Sequence, residues 1–346
     1  MRRVVTLLVL LAAAGGGSWV WWQKSLLPAT TDSEDVVLVE IPSGTPAQII
    51  GETLAERELI RSPQAWRLWT LWQRRVRKRE GDFQAGTYAI DPAQPLPEIA
   101  EQIWAGDVQQ QDIVIPEGWK REEMAAYFEE ELGWFAAEEF LAATSQIPRD
   151  RFAWLPKDLP HVEGFLFPDT YFFPAGVAPS AEQVRDRLLT QFETTALPTY
   201  QAARDRDDYH GSLLDWVTLA SIVEKEAVVA SERGIIAGVF TNRLQDGMPL
   251  ASDPTVEYGL GIVQTPDRPL LFSEVRQPSP YNTYLNPGLP PTPIASPGLA
   301  SLEATLAPTP TEYLFFVARY DGTHVFSRTF ADHTRAQQRI RRQRQQ

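Results

Sequence analysis

The stretch "LASIVEKEA", Leu219–Ala227, decides how the chain is read, because it sets two glutamates two residues apart inside an apolar helical pattern. Residues two apart on a helix point about 160° away from each other, so Glu224 and Glu226 cannot serve one site together. With Trp216 at the centre of the buried face, Leu219, Ala220, Val223 and Ala227 fall near it and Ile222 on one shoulder. Glu226 then lies on the Leu219/Ile222 flank and Glu224 on the Val217/Ala220 flank, and periodicity leaves the choice between them open. A carboxyl at the border of an apolar face has its charged form disfavoured, which moves its pKa toward the range of a general acid. The plain alternative is two solvated flank residues with Lys225 between them.

On the C-terminal side, "SERGIIAGVFTNRL" reads as a second helix from Ser231 to Leu244, capped by Ser231 and striped by Ile235, Ile236, Val239 and Phe240; the first runs from Leu213 to about Val229. Two Pro/Gly/Tyr-rich stretches follow, "ASDPTVEYGLG" and "PSPYNTYLNPGLPPTPIASPG", and both read as loops. Their tyrosines, asparagine and threonines supply hydroxyl and amide partners and aromatic faces on which sugars stack. "EYLFFVARYDGTHVFS" closes the region as a hairpin turning at Asp321-Gly322, and the basic run from Arg335 to Arg344 reads as a solvated helix end.

On the N-terminal side, Phe152 to Pro174 is rich in aromatics and prolines and culminates in "EGFLFPDTYFFP". It is too broken for a helix and too apolar for a free loop, so it must pack. Earlier still, "VVLVEIPSGTPAQIIGETLAERELI", "GTYAIDPAQPLPEIAEQIWAG" and "DIVIPEGWKREEMAAYFEEELGW" each read as a strand, a turn and an amphipathic helix.

At the start, Arg2 and Arg3 precede an uncharged run from Val4 to Trp22, which at about 1.5 Å per residue is long enough to span a hydrocarbon core. Trp19, Trp21 and Trp22 suit an interfacial belt, and the arginines favour a cytoplasmic N-terminus. A cleaved signal peptide is the competing reading, since "AAAGGGS" offers small residues for processing; the apolar run continuing through "WVWW" favours the anchor. Either reading exports the bulk of the chain.

The 346 residues are 43% hydrophobic and 22% charged, which suits folded domains. The net charge of −13 argues against a nucleic-acid binder. No cysteine is present, so no disulfide framework forms, and the four histidines lack metal-ligand spacing. No P-loop, dinucleotide or serine-hydrolase signature occurs, and carboxylate chemistry remains.

Taken in order, "EGFLFPDTYFFP", "LASIVEKEA", "SERGIIAGVFTNRLQDGMPLASDPTVEYGLG" and "YNTYLNPGLPPTPIASPG" resemble the endolytic murein transglycosylases, also called MltG or YceG-like proteins. The resemblance implies an α+β chain with a single N-terminal transmembrane helix, a LysM-like subdomain and a C-terminal lysozyme-like catalytic domain. The corresponding ranges are 1–22 anchor, 23–36 linker, 37–107 LysM-like, 108–210 second α/β module with the aromatic segment, 211–333 catalytic, and 334–346 basic tail. It also implies cleavage of the MurNAc–GlcNAc bond inside peptidoglycan strands, leaving 1,6-anhydro ends and ending strand elongation. No cofactor or metal is implied. By motif position the catalytic glutamate is Glu226, with Glu224 as the alternative. Tyr258, Tyr281, Asn282, Tyr284, Asp253 and Glu163 are the expected substrate-binding residues, and Asp253, Glu257 and Glu163 keep a two-carboxylate, water-using muramidase open. A non-catalytic wall-binding scaffold is the third reading. The expected place is the cytoplasmic membrane with the catalytic domain outside, on peptidoglycan and near its synthases. Two departures from the family pattern are Glu257 in place of an aliphatic residue and Ala227 in place of threonine.

Overall fold

The computed structural model describes residues 15–30, 36–175, 178–265, 268–319 and 321–343. Helices and short strands mix, as an α+β chain requires, and the chain divides into two compact units: Met1–Ile113 with Phe172–Ala178, and Val114–Tyr171 with Pro179–Gln346. The division falls at 113/114, and residues 114–171 and 179–210 belong with the region around Glu226.

Of the expected anchor, residues 1–14 lie outside the described residues. Helix α1 covers 15–26, and among the described residues no helix is long and apolar enough to cross a membrane. Strand β1 (Val37–Ile41) pairs antiparallel with β2 (Gly86–Ile90), in register from Val37 opposite Ile90 to Ile41 opposite Gly86. Alternation turns Val39, Ile41, Tyr88 and Ile90 inward onto helices α2 (Ala47–Glu56), α3 (Pro63–Arg75) and α4 (Leu96–Ala105). Helix α3 is absent from the sequence reading. Its signals were present: Ser62 caps it by accepting from the Ala65 N–H at 3.2 Å, and Pro63 stands in the first turn, where its missing N–H costs nothing. Trp66, fully buried, donates its indole N–H to the Ala47 carbonyl at 2.7 Å.

Strands β3 (Gln110–Val114) and β4 (Thr170–Pro174) form a second two-stranded sheet. Helix α5 (Arg121–Ala126) runs on into a π-helical turn, Tyr127–Glu131, and α6 (Ala137–Ser145) follows. The aromatic segment forms no helix and packs as expected: Phe152, Phe165 and Leu166 are buried, and Phe165 and Trp154 both meet Phe192 with centroids 5.3 Å apart. Phe192 lies on α7 (Ala181–Thr195), which leads into α8 (Leu197–Asp205).

Helix α9 (Leu213–Glu226) is the centre of the second unit, and every residue from Trp216 to Val223 is buried. Between Trp216 and Val223 the helix is therefore enclosed on every side rather than amphipathic, and only beyond it, at exposed Lys225, does it meet solvent again. The helix α10 (Arg233–Gln245) packs on one side of it and α13 (Leu299–Leu306) on another, where Trp216 donates its indole N–H to the Leu302 carbonyl at 2.9 Å.

Three local expectations need correction. Helix α9 stops at Glu226 rather than near Val229, because Ala227 takes an extended backbone. Ser231 does not cap α10; a 3-10 turn, Ala230–Glu232, leads directly into it. "DPTVEYG" is a helix, α11 (Asp253–Leu260), since Pro254 in the first turn starts a helix rather than breaking one, and Gly261 closes it in the left-handed conformation.

The short helix α12 (Phe272–Val275) follows, and "YNTYLNPGLPPTPIASPG" is irregular as expected. Strands β5 (Phe315–Ala318) and β6 (His324–Ser327) form the expected hairpin, with Asp321 Oδ1 accepting from the Thr323 N–H at 2.9 Å. The basic run is helical through Gln343 in α14 (Phe330–Gln343), which packs on the hairpin and buries Ala336 and Ile340 while its arginines stay outside.

Candidate active site

The end of α9 carries the Glu226 carboxyl into a cleft of about 440 Å³ lined by Arg243, Ala251, Asp253, Tyr284 and the hairpin residues Phe315 to Ala318, with His324, Phe330, His333 and Gln337 on its far side. The carboxyl is enclosed although the residue keeps some exposure toward the cleft. Burial pushes its pKa up to about 7; Ser252 and Arg243 pull against this, and the charges of Asp253 and Glu257 reinforce it. Ser252 donates its hydroxyl to Glu226 Oε1 at 2.7 Å. Because that oxygen accepts, the proton of the neutral acid belongs on Oε2.

Ser252 precedes α11 in the position of a helix cap, yet its hydroxyl makes no cap bond. Its backbone N–H is held instead by Thr283 Oγ1 at 3.1 Å, and the side chain is free to turn to Glu226. The next residue, Asp253, accepts from the Tyr284 hydroxyl at 2.6 Å, so the first residue of α11 and the tyrosine of the following irregular stretch form one pair inside the cleft. Tyr284 is held un-ionised by burial and by the Asp253 charge. Arg243 fixes the wall, donating from Nε to the Leu314 carbonyl at 2.6 Å and from Nη1 to the Leu250 carbonyl at 2.5 Å.

Glu224 is placed elsewhere. Its Oε2 accepts from the Gly298 N–H at 3.0 Å and its Oε1 lies 4.0 Å from Arg233 Nη2. Burial, and then the Glu224 charge, raise the pKa of neighbouring Glu117. This group ties the start of α13 to the end of α9 and does not line the cleft.

The remaining candidates separate into two groups. Glu163, Tyr258 and Tyr281 form a packed cluster: Tyr258 donates to Glu163 Oε2 at 3.3 Å, the tyrosine rings are 4.7 Å apart, and the Tyr281 hydroxyl is 2.8 Å from Thr292 Oγ1. Glu163 is wholly inaccessible, and burial pushes its pKa up to about 8, with Glu122 adding and Arg121 and Tyr258 opposing. Its neighbour Gly164 has φ +83, and a Cβ there would sit 2.3 Å from Pro293 Cβ, so the "EG" pair needs glycine on both counts. Asn282 is fully buried with its amide engaged: Nδ2 donates to the Val275 and Gln277 carbonyls, both at 2.9 Å, and Oδ1 accepts from the Tyr284 N–H at 3.0 Å. The expectation that it touches substrate is corrected to a bracing role, since the side chain is fully buried, spans three backbone groups and does not line the cleft.

The sequence reading missed Ser252, Arg243 and His324. Ser252 had a signal, because reading "SDPTVEYG" as a helix would have flagged its cap position. Arg243 and His324 had none, since tertiary packing alone brings α10 and β6 to this place. His324 Nδ1 is 2.7 Å from Glu232 Oε2, and its backbone N–H donates to Glu232 Oε1 at 3.1 Å. Among the described residues no group of His, Cys, Asp or Glu is arranged to hold a metal ion.

A model of the YceG-like family matches residues 39–339. The chain is similar to the endolytic murein transglycosylase of Bacillus subtilis (strain 168), 32% identical over 333 residues that cover 91% of this chain and 88% of the relative. It is similar also to the protein of that name from Streptococcus pneumoniae serotype 2, 30% identical over 341 residues, 90% of this chain and 59% of that longer relative. The crystal structure of a yceG-like protein from Listeria monocytogenes aligns with a TM-score of 0.58 and 29% identity, over 88% of this chain and all of the other. With a family match spanning most of its length, the chain belongs to the YceG-like family.

Proposed function

We propose that the chain is an endolytic lytic transglycosylase, cleaving the MurNAc–GlcNAc bond inside peptidoglycan strands with Glu226 as its acid and base. The observation that carries this is the desolvated Glu226 carboxyl, with a pKa of about 7, opening on a cleft beside Asp253 and Tyr284. Neutral Glu226 protonates the glycosidic oxygen from Oε2 while Ser252 holds Oε1. As the bond breaks, positive charge grows on the sugar, and Asp253 is the negative group in the same cleft. Glu226, now a carboxylate, takes the proton of the C6 hydroxyl of the same muramic residue as it closes the 1,6-anhydro ring. Intramolecular attack replaces water, which is an advantage of orientation. The names of the Bacillus and Streptococcus relatives support the reading.

A water-using muramidase is the second reading, supported by Asp253 as a second carboxylate lining the cleft. Digestion of purified sacculi followed by mass spectrometry separates the two. Anhydro ends that vanish with Glu226→Gln support the transglycosylase, reducing ends the muramidase, and undiminished function with Glu226→Gln a scaffold.

The residue pattern from Arg2 to Trp22 supports a single-pass anchor in the cytoplasmic membrane, with the N-terminus inside and both units outside. Residues 37–107 serve as the LysM-like subdomain. In that setting the enzyme works on nascent strands beside the peptidoglycan synthases and ends their elongation.

A further inference from the structure

The first unit carries a surface that glycan cleavage does not use. Helix α3 buries Ala65, Trp66, Trp69 and Thr70 and turns Leu68 and Trp72 outward, 49% and 40% exposed, together with Leu71; Val76 beyond its end is 65% exposed. At helical spacing Leu68, Leu71 and Trp72 form one strip opposite the buried face, with Arg75 on the same side.

Charge surrounds this strip. From Pro63 to Arg79 the chain holds Arg67, Arg74, Arg75, Arg77, Lys78 and Arg79 and no acidic residue, although its net charge is −13. Arg74 pairs with Asp82 and Arg79 with Glu101; among the described residues no ion pair engages Arg67, Arg75, Arg77 or Lys78. The Arg77 guanidinium lies 4.9 Å from the Trp72 ring centroid, so the exposed indole is flanked by a cation. The start of the chain packs on the same unit: Trp22 and Leu26 of α1 lie against its core, and Arg61 Nε donates to the Pro28 carbonyl at 2.6 Å.

We propose that the outward face of α3 docks on the anionic lipid surface of the membrane that holds the N-terminus. Leu68, Leu71, Trp72 and Val76 enter the boundary between headgroups and acyl chains, and the unpaired arginines and Lys78 meet lipid phosphates. A sugar can stack on the Trp72 face, but a glycan strand has no apolar interior for Leu68, Leu71 and Val76 to enter. The inference rests on the anchor reading, which sets this unit a few residues from the bilayer, and it assigns α3 a role the anchor does not require.

The absence of native cysteine makes the test direct. Leu71→Cys and, separately, Ala12→Cys each carry a nitroxide in the full chain, reconstituted into vesicles of phosphatidylglycerol with phosphatidylcholine or of phosphatidylcholine alone. In the anionic vesicles the label at 71 should collide several-fold more often with oxygen than with a water-soluble nickel chelate. That preference should fall in phosphatidylcholine, and fall again when Arg67, Arg75, Arg77 and Lys78, all exposed, are changed together to glutamine. A label at 71 that stays in water while the label at 12 sits in lipid overturns the proposal and leaves the anchor. Both labels in water remove the two together. Shielding of position 71 only on addition of sacculi assigns the face to glycan and overturns the lipid proposal.

Discussion

The Glu226 cleft and the Glu163 cluster hold two carboxyls that burial pushes upward alike, to about 7 and about 8, and they differ in what lies beyond the carboxyl. Glu226 opens on a cleft with a hydroxyl on one oxygen. Glu163 is sealed: one oxygen accepts from Tyr258 and the Arg121 N–H, and the other has no partner. A raised pKa therefore reports desolvation, and desolvation serves chemistry only where a substrate can reach the proton. Glu224, two residues from Glu226, makes the complementary point, since a backbone N–H and an arginine hold it in a structural role on the same helix.

Exchanging Glu226 for Gln tests the comparison most severely. It removes the transferable proton and keeps the shape, so release of anhydro fragments from sacculi should fall by about 10²–10⁴-fold. An equal loss in Glu163→Gln would break the distinction between the two sites.

For Glu163→Gln the expected effect is on stability. The native carboxyl has a pKa near 8, above its unfolded value, so its contribution is complete below the unfolded pKa and is lost as pH rises through 8. Glutamine does not ionise, so the variant should gain on wild type between pH 5 and pH 9, by something on the order of 3 kcal/mol, with activity within a few-fold. Thermal melts of both proteins across that range read it, and a pH-independent difference would show that the carboxyl does not titrate there.

Ser252→Ala sharpens the picture of the acid itself. Wild-type activity should fall above pH 7 as Glu226 loses its proton. Removing the hydroxyl that favours the carboxylate should move this limb upward by about one pH unit and lower the rate by about tenfold. A limb that stays in place would detach Ser252 from the titration.

The smallest effect belongs to Tyr284→Phe, which leaves the ring and removes the bond to Asp253. A loss of about three- to tenfold in kcat/KM is expected, because solvent in a partly open cleft screens the charge and leaves the bond the worth of an ordinary hydrogen bond. No change would leave Asp253 positioned by its place at the start of α11 alone.

Local patterns made much of this legible. The three strand–turn–helix segments, the hairpin at Asp321-Gly322 and the packing of "EGFLFPDTYFFP" follow from alternation, turn residues and proline, all of which act over a few positions. Elsewhere a helix-starting proline resembles a breaker, or distant packing overrides the local pattern. Helix α3 and α11 were missed although each begins with proline in its first turn, and the amphipathic view of α9 failed because neighbours far along the chain enclose it.

By itself the sequence determined the chemistry available: a carboxylate helix without cysteine or metal spacing, and ordered motifs resembling one family. Only the tertiary structure decided which carboxylate faces the cleft. Periodicity placed Glu224 and Glu226 on equivalent flanks, and α11 and the hairpin approach Glu226 alone while the start of α13 claims Glu224. The same packing moved Asn282 from the substrate to the frame and brought Ser252, Arg243 and His324 to the site, because a pKa and a point of access depend on groups that meet only when the chain folds.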